Sequence, residues 1–189
     1  MALDLLYVIA APDNTPAIIK DLLNVLLSAN DEEFITELAL KICLIVEKHS
    51  QSRRWHFDTI LKVLVLADQA VKEESAKSLV YLVQSTPQLQ EYCLAKLFFS
   101  SSENPQNDAL SSVTLFLIGE LSNVLLRLKE VTITEENVLN LIESIIFKVG
   151  VANDTVSYGL STLLKLYEKF SNRERIVKMI RSFETHSDL

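Results

Sequence analysis

Turn-forming residues are scarce in this sequence, whose 189 residues include only three glycines and four prolines. Sandwiches and barrels connect many short strands through tight turns, which are built largely from these two residue types. The shortage therefore argues against an all-β fold. Hydrophobic residues make up 49% of the chain, and a chain of this length buries roughly 70% of its unfolded surface. The composition thus indicates a well-filled core built from long helices.

Cysteine is rare as well. The two cysteines, Cys43 and Cys93, lie near the apolar stripes of two different predicted helices. Unpaired cysteines behave as small hydrophobic side chains and are among the most buried residue types. We therefore predict two buried, reduced thiols, which suits the reducing environment of the cytosol.

Long uncharged runs are absent. The longest, residues 78–90, has thirteen residues and contains Pro87, whereas a membrane-spanning helix needs about 20 apolar residues. The apolar N-terminus has no basic region before it and is interrupted by Asp4, so it does not resemble a signal peptide. The formal net charge of −7 gives no reason to expect binding to nucleic acid or direct attraction to anionic membranes.

The stretch that carries the only tryptophan, residues 52–68, is predicted to be one amphipathic helix. Because a large indole contributes most when it is buried, we expect Trp55 to lie in the core between neighbouring helices rather than to serve as a ligand platform. The apolar residues of this stretch recur at helical spacing; they are Trp55, Phe57, Ile60, Leu61, Val63 and Leu64.

Helix starts recur along the chain with spacings of 34 to 48 residues, the range of helical-pair repeats of the HEAT and armadillo type. Each pair has more apolar surface than it can bury alone, so pairs are expected to stack. We predict an all-α fold, a right-handed α-α superhelix of about ten helices in antiparallel pairs, with residues 1–189 forming one solenoid. A compact helical bundle is the competing fold.

The predicted boundaries follow from the helix starts. The predicted pairs are residues 16–49, 53–85, 87–126 and 135–170, followed by a last helix at 172–184. First helices begin near Pro16, Arg53, Pro87, Glu135 and Arg173, and second helices begin near Glu32, Gln69, Asp108 and Asp154. The first and last helices are predicted to leave apolar side chains uncovered.

Residues that could carry catalysis are not grouped in the sequence. No histidine is spaced at i,i+4 from another metal-binding residue type, and no phosphate-binding loop or nucleophile elbow is present. The paired glutamates at positions 32–33 and 135–136 lie in first turns of predicted helices, where they stabilise the helix dipole. We therefore predict no catalytic, metal-binding or cofactor-binding residue and no enzymatic activity. The three histidines are His49, His56 and His186.

Basic residues form two weak interface candidates. One is the pair Arg53 and Arg54; the other is the cluster of the last helix. The cluster could meet a phosphoinositide or an acidic partner, but Glu174 and Glu184 dilute its charge, so a solvated helix face is the simpler interpretation. The cluster consists of Arg173, Arg175, Lys178 and Arg181.

Four segments, in this order, resemble the large subunits of heterotetrameric clathrin adaptors, and gamma-adaptin in particular. The first is SRRWHFDTILKVL, with its tryptophan followed by Asp-Thr-Ile, and the second is FLIGELSNVLL. The third and fourth are ITEENVLNLIESII at residues 133–146 and YGLSTLLKLYEKF at residues 158–170. The sequence departs from the gamma pattern at Leu121, where an aromatic residue is usual, so an alpha-like or epsilon-like subunit stays open.

The resemblance implies a structural scaffold in vesicle-mediated intracellular protein transport. It covers the middle-to-late part of the helical trunk and lacks the earlier trunk, the hinge and the ear. Implied partners are a second large subunit, a medium chain and a small chain, with clathrin reached only through the hinge and ear. The implied location is cytoplasmic, peripheral to the trans-Golgi network, endosomes and coated vesicles, with membrane association indirect through the complex. The implied structural residues are Trp55, Asp58, Ile60, Gly119, Glu120, Leu139 and Ile142.

An alternative of another class is a free-standing HEAT-type protein-binding module, such as a transport receptor or a phosphatase scaffold. An enzyme is a more distant third. Co-purification with adaptor chains would separate the first two hypotheses.

Overall fold

The computed structural model describes residues 2–71, 73–128 and 132–186. Within these residues the chain forms helices and no strand, which confirms the all-α class. Ten α-helices are described, and two short 3-10 turns, Asp68–Ala70 and Pro87–Leu89, precede α5 and α6. The helices are α1 (Ala2–Ile9), α2 (Thr15–Ser28), α3 (Glu32–His49), α4 (Arg53–Ala67), α5 (Glu73–Gln84), α6 (Gln90–Glu103), α7 (Asp108–Leu125), α8 (Glu135–Ile146), α9 (Asn153–Tyr167) and α10 (Arg173–His186).

Side-chain caps fix several helix starts. At each of these starts a side-chain oxygen accepts a hydrogen bond from a backbone N–H that has no partner within the helix. In α8 the cap is reciprocal, because the Asn137 side chain also accepts from the backbone of Thr134. The capping residues are Asp31 for α3, Ser52 for α4, Asn107 for α7 and Thr134 for α8.

Two predicted helix starts are wrong by a few residues. The helix predicted from Gln69 begins at Glu73, because Asp68 adopts a left-handed backbone conformation with a φ of 41° and turns the chain after α4. The helix predicted from Pro87 begins at Gln90, because Pro87 lies in a 3-10 turn. Gly150 has the left-handed φ expected of a helix stop, 75°, but α8 already ends at Ile146.

The chain divides into two compact units, residues 1–89 and 90–189. In the first unit, α3 packs against α1, α2 and α4, and α4 also packs against α2 and α5. Helix α3 thus contacts α1 and helix α4 contacts α2, in each case the next helix but one, and such contacts are expected of stacked helix pairs. The fully buried side chains of this unit include Leu38, Ile42, Ile45, Val46, Phe57, Leu64 and Leu79.

The second unit repeats this pattern. Helix α7 packs against α6 and α9, α8 packs against α6 and α9, and α10 packs against α9. The contact between α7 and α9 is the main one of this unit, and the residues of greatest interest lie along it. That both units belong to one continuous solenoid stays a prediction. The fully buried side chains of this unit include Leu110, Leu115, Leu117, Leu139, Ile142, Ile145 and Leu163.

Helix α7 is long and apolar enough to cross a membrane by length and composition. Within this protein, however, 61% of its residues are buried. The hydroxyl group of its buried Thr114 lies 2.7 Å from that of Ser101 on α6. Helix α7 is therefore a core helix of the second unit.

The apolar surfaces of the first and last helices differ from each other. The apolar side chains predicted to be uncovered on α1 are Leu3, Leu5, Leu6, Val8 and Ile9. Of these, Leu5, Val8 and Ile9 are exposed, as predicted, whereas Leu3 and Leu6 are half-buried. On α10, Ile176 and Met179 are buried, and the other apolar side chains of the predicted surface are half-buried. The prediction of an uncovered last helix is therefore wrong, because the contact with α9 covers the apolar side of α10.

Candidate interaction sites

Two glycines let helices of the second unit approach closely. A methyl group at Gly119 on α7 would lie 3.2 Å from Thr162 Oγ1 on α9. A methyl group at Gly159 on α9 would lie only 2.3 Å from Cγ2 of Ile146, so the Ile146 side chain or the helix itself would have to move. The backbone at Gly159 therefore depends on the absence of a side chain.

Buried hydrogen bonds set the relative position of α7 and α9. The Thr162 hydroxyl donates to the main-chain carbonyl of Leu115 at 2.7 Å, and Thr162 is almost completely buried. Nearer the N-terminal ends of the two helices, the hydroxyl groups of Ser112 on α7 and Thr155 on α9 lie 3.0 Å apart. If the two helices slid along each other, both contacts would break. The buried hydroxyl groups would then have no hydrogen-bond partner, which is energetically costly. The α7–α9 seam, defined by these four residues with Gly119, is thus held in one register.

Two lysines, Lys165 on α9 and Lys169 just after it, add polar contacts to α7 along this seam. Lys165 forms an ion pair with Glu120 at 2.5 Å and lies over the Phe116 ring, 5.3 Å from its centroid. Lys169 donates to the carbonyl of Gly119 at 3.3 Å and to the Ser122 hydroxyl at 3.1 Å. Two predicted structural residues, Gly119 and Glu120, thus lie at one helix contact.

Helix α7 is kinked at the residue that departs from the gamma pattern. Leu121 has non-helical backbone angles, with φ −113° and ψ 23°. The ammonium group of Lys169 reaches both sides of this position, at Gly119 and Ser122. A side chain that bonds to carbonyls of a helix is a recognised cause of such kinks.

A buried lysine connects the turn after α8 to the loop before α7. The Lys148 side chain is 3% exposed, and its ammonium group lies 2.7 Å from Oδ1 of Asp108, whose side chain is 11% exposed. The same group donates hydrogen bonds to the carbonyls of Pro105 at 3.1 Å and Gln106 at 3.0 Å. Since buried charges require partners, these contacts fix the loop at the start of α7. Sequence reasoning missed Lys148, because its partners are about 40 residues away in the chain.

In helix α4, the burial of Trp55 differs from the expectation. Trp55 is half-buried, whereas Phe57 is fully buried. Trp55 lies in the first turn of α4, where its backbone N–H donates a hydrogen bond to the Ser52 side chain. The indole is therefore less buried than expected, and the fully buried aromatic ring of α4 is that of Phe57. A structural role for Trp55 stays a prediction.

The remaining predicted structural residues fall into two groups. Ile60 on α4 and the α8 residues Leu139 and Ile142 are buried, with exposures of 3%, 0% and 0%. Asp58 on α4 is half-buried. The apolar members thus belong to the cores of the two units, Ile60 to the first and the α8 pair to the second.

The two arginines at the start of α4 are both exposed. Arg53 donates to the Thr86 hydroxyl at 2.9 Å and to the Ser85 hydroxyl at 3.3 Å. Its guanidinium group therefore connects α4 to the end of α5 within the first unit. The structure gives Arg53 an internal role and leaves an interface role of Arg54 as a prediction.

The basic cluster of α10 is not one patch. Arg175 turns toward α8, where its Nη2 donates to Glu143 and to Asn140, both at 2.6 Å. Arg173 lies on the other side, with its guanidinium carbon 5.6 Å from the centroid of the Tyr167 ring. Lys178 and Arg181 are exposed. The side chain of Glu184, expected to dilute the cluster, lies outside the described residues.

Burial shifts the pKa values of two groups in the first unit. Cys43 and Cys93 are both buried thiols, as predicted, and burial raises the pKa of the Cys43 thiol. Burial also lowers the pKa of His56 below its ordinary value; Arg53 lowers it further, and Glu47 opposes the shift. Among the described residues, no three His, Cys, Asp or Glu side chains are grouped as a metal site would require.

Comparison with known protein families identifies a family with this architecture. The sequence pattern of the adaptin N terminal region matches residues 1–189, the whole chain. The chain belongs to the adaptin family. Its fold is the HEAT-like all-α fold of this region, and the family consists of structural coat adaptor proteins rather than enzymes.

Similar proteins in three organisms are gamma subunits of adaptor complexes. AP-1 complex subunit gamma of Dictyostelium discoideum is 32% identical over 100% of this adaptin chain. AP-1 complex subunit gamma-1 of Mycosarcoma maydis is 32% identical over 97%, and that of Arabidopsis thaliana is 31% identical over 95%. The chain spans 22%, 22% and 21% of the lengths of these three relatives.

Proposed function

We propose that this chain is a segment of the helical trunk of a clathrin-adaptor large subunit of the gamma type, and that it acts as a structural scaffold in vesicle-mediated intracellular protein transport. One observation carries the proposal: the similarity to AP-1 gamma subunits extends over 95% to 100% of the chain in the three relatives above. The four resemblance segments, which run in order through the sequence, favour a position in the middle-to-late trunk.

The mechanism is the maintenance of shape. A trunk can hold partner chains at a fixed geometry only if its helices do not slide against one another. The buried Thr162 bond to Leu115 and the tight contact at Gly159 oppose sliding in the second unit. The Lys148–Asp108 ion pair fixes the start of α7 in the same unit. These contacts require no ligand, which suits a scaffold.

The partners of this scaffold are a second large subunit, a medium chain and a small chain. Clathrin binds to the hinge and ear of the large subunit, which lie outside this 189-residue segment. Membrane association is indirect, through the complex. The location is cytoplasmic, at the trans-Golgi network, endosomes and coated vesicles. The three relatives above, each a gamma subunit of an AP-1 complex, support this set of proposals.

Co-purification tests the proposal. An affinity tag on the full-length protein that contains this segment should recover a second large subunit, a medium chain and a small chain in equal amounts by native mass spectrometry. Recovery of a Ran-type GTPase or a phosphatase catalytic subunit in their place would contradict it and favour a free-standing binding module.

A pair of variants connects the recovery of partner chains to the close contact between α9 and α8 at Gly159 and Ile146. Gly159→Leu, which forces α9 away from Ile146, should reduce recovery of the partner chains. Ser161→Leu, at an exposed position of the same helix, should leave it unchanged. Equal recovery with both variants would mean that the close contact between α9 and α8 is not needed for the scaffold function.

A further inference from the structure

We propose that a groove along α10, next to the end of α9, is a docking site for a short acidic peptide that carries one apolar residue among its carboxylates. The inference goes beyond the scaffold role, which assigns no ligand to this groove. The groove has a volume of about 540 Å³. The residues that define it, hereafter the α10 groove, are Tyr167, Arg173, Glu174, Val177, Lys178 and Arg181.

Helical spacing places three cations along one side of α10. Arg173, Val177 and Arg181 follow one another at intervals of four residues, and side chains at this spacing lie on one helix face. Lys178 lies beside them on the next row. The half-buried Val177 thus forms an apolar strip with cationic groups above, below and beside it.

A second groove beside α10 shares Glu174 and Lys178 with the first one but has a different balance of charges. That groove has a volume of about 650 Å³ and contains Arg175 together with Glu143 and Phe147. Because Arg175 is paired with Glu143 at 2.6 Å, its charge is already balanced. In the α10 groove, by contrast, three cations face a single carboxylate, that of Glu174. Among the described lining residues, cations outnumber carboxylates in the α10 groove, whereas the two are equal in number in the second groove.

The cations of the α10 groove are available to a ligand. Arg173 is held over the Tyr167 ring, which orients its guanidinium group without using its hydrogen-bond donors. In the part of the chain that the structure describes, Lys178 and Arg181 take part in no ion pair. Carboxylates are good ligands for such groups, because charge-assisted hydrogen bonds are the stronger ones.

The shape and charge of the molecule favour a peptide over a lipid surface. The apolar strip at Val177 lies within the groove, where one side chain of a bound peptide can reach it. The chain as a whole carries a net charge of −7, which opposes adsorption to an anionic membrane but leaves short-range recognition in the groove intact. A short acidic segment of a partner protein fits both conditions.

Fluorescence anisotropy tests the proposal with the 189-residue chain. The probe is a labelled peptide in which one leucine is flanked on each side by three acidic residues. We expect saturable binding that weakens as the salt concentration rises from about 50 to about 200 mM. Lys178→Glu and Arg181→Glu should each weaken binding by about tenfold or more, since they place like charges opposite the ligand.

Two control variants separate groove recognition from overall charge. Lys62→Glu, at an exposed position of α4 in the other unit, changes the net charge by the same amount and should leave binding unchanged. Arg175→Gln, which removes a charge from the second groove, should change the affinity for the peptide less than twofold. Lys178→Gln and Arg181→Gln should weaken binding too, so that a folding defect in one charge-reversal variant does not decide the result.

Three results would overturn the proposal. Equal loss with Lys62→Glu and Lys178→Glu would show attraction without a site. Unchanged affinity when glutamine replaces the leucine of the peptide would remove the role of Val177. Binding to phosphoinositide vesicles without binding to the peptide would assign the groove to lipid. None of these results depends on whether the full-length protein assembles with adaptor chains.

Discussion

Lys148 and Asp108 form an ion pair at 2.7 Å in which both side chains are almost completely buried, at 3% and 11% exposure. The lysine follows α8 and the aspartate begins α7, so the pair joins two segments that are 40 residues apart in the sequence. The ammonium group directs its hydrogen bonds to the carbonyls of Pro105 and Gln106. Asp108 is therefore stabilised by the nearby charge, and the loop by the hydrogen bonds.

Replacement of this lysine should be strongly destabilising. Lys148→Met leaves the Asp108 carboxylate buried without its counter-charge, which typically costs about 3–5 kcal/mol. The free energy of unfolding from urea titrations measures the loss. The double variant Lys148→Met with Asp108→Asn should recover much of it, because the unpaired charge is then gone.

The exposed pair Lys165–Glu120 provides the matched control. Its side chains are 39% and 38% exposed, and a solvated pair contributes about 1 kcal/mol or less. Lys165→Met should therefore cost much less than Lys148→Met. Equal costs for the two substitutions would mean that burial of Lys148 and Asp108 does not govern their contribution.

Gly159→Ala should destabilise the second unit although alanine favours helices. The new methyl group would lie 2.3 Å from Cγ2 of Ile146, and such overpacking costs about 1–3 kcal/mol, against a gain of about 1 kcal/mol in helix propensity. A net loss is expected from the midpoint of chemical denaturation. In an Ile146→Ala background the same substitution should become neutral or stabilising; persistence of the loss there would assign it to another contact.

Much of the helical pattern is predictable from sequence because its signals are local. The α3 and α8 starts follow Asp31 and Thr134, whose side chains bond to backbone groups within one turn. The start of α5 is not predictable in this way. There a non-glycine residue, Asp68, adopts a positive φ that no local pattern indicates.

The candidate sites are less predictable because their contacts are distant. The sequence places Arg173 and Arg175 in one cluster, but two residues along a helix turn the side chain to the opposite side. There Arg175 meets Glu143, 32 residues earlier. The same limit applies to Thr162, whose acceptor at Leu115 lies 47 residues away. Neither contact has a signal in spacing or composition.

Trp55→Ala should cost less than Phe57→Ala. The Phe57 ring is fully buried in the first unit, and its removal should cost about 3–5 kcal/mol. Trp55 is half-buried, so part of its surface is hydrated in the native state as well as in the unfolded state. Urea titrations of both variants measure the difference. A larger loss for Trp55→Ala would restore the indole as the main core residue of α4.

His56 connects the stability of the first unit to pH. Its pKa is lowered mainly by burial, with a further contribution from Arg53 and an opposing one from Glu47. The neutral imidazole is therefore favoured in the folded state relative to the unfolded state, where the ordinary pKa of about 6.5 applies. Above that pH both states hold a neutral imidazole, and His56 adds no pH dependence. Below it the unfolded state binds the proton more readily, so unfolding is favoured as the pH falls.

We therefore expect the urea midpoint to decrease between pH 7.5 and pH 5.5, and His56→Gln to show a smaller decrease. The comparison is made within each variant, so that any change in packing caused by the glutamine cancels. Intrinsic tryptophan fluorescence should follow the transition, because Trp55 is the only tryptophan and precedes His56 directly. If His56→Gln retained the full pH dependence of the wild-type chain, the titrating group would be another one, and burial of the imidazole would not limit stability at low pH.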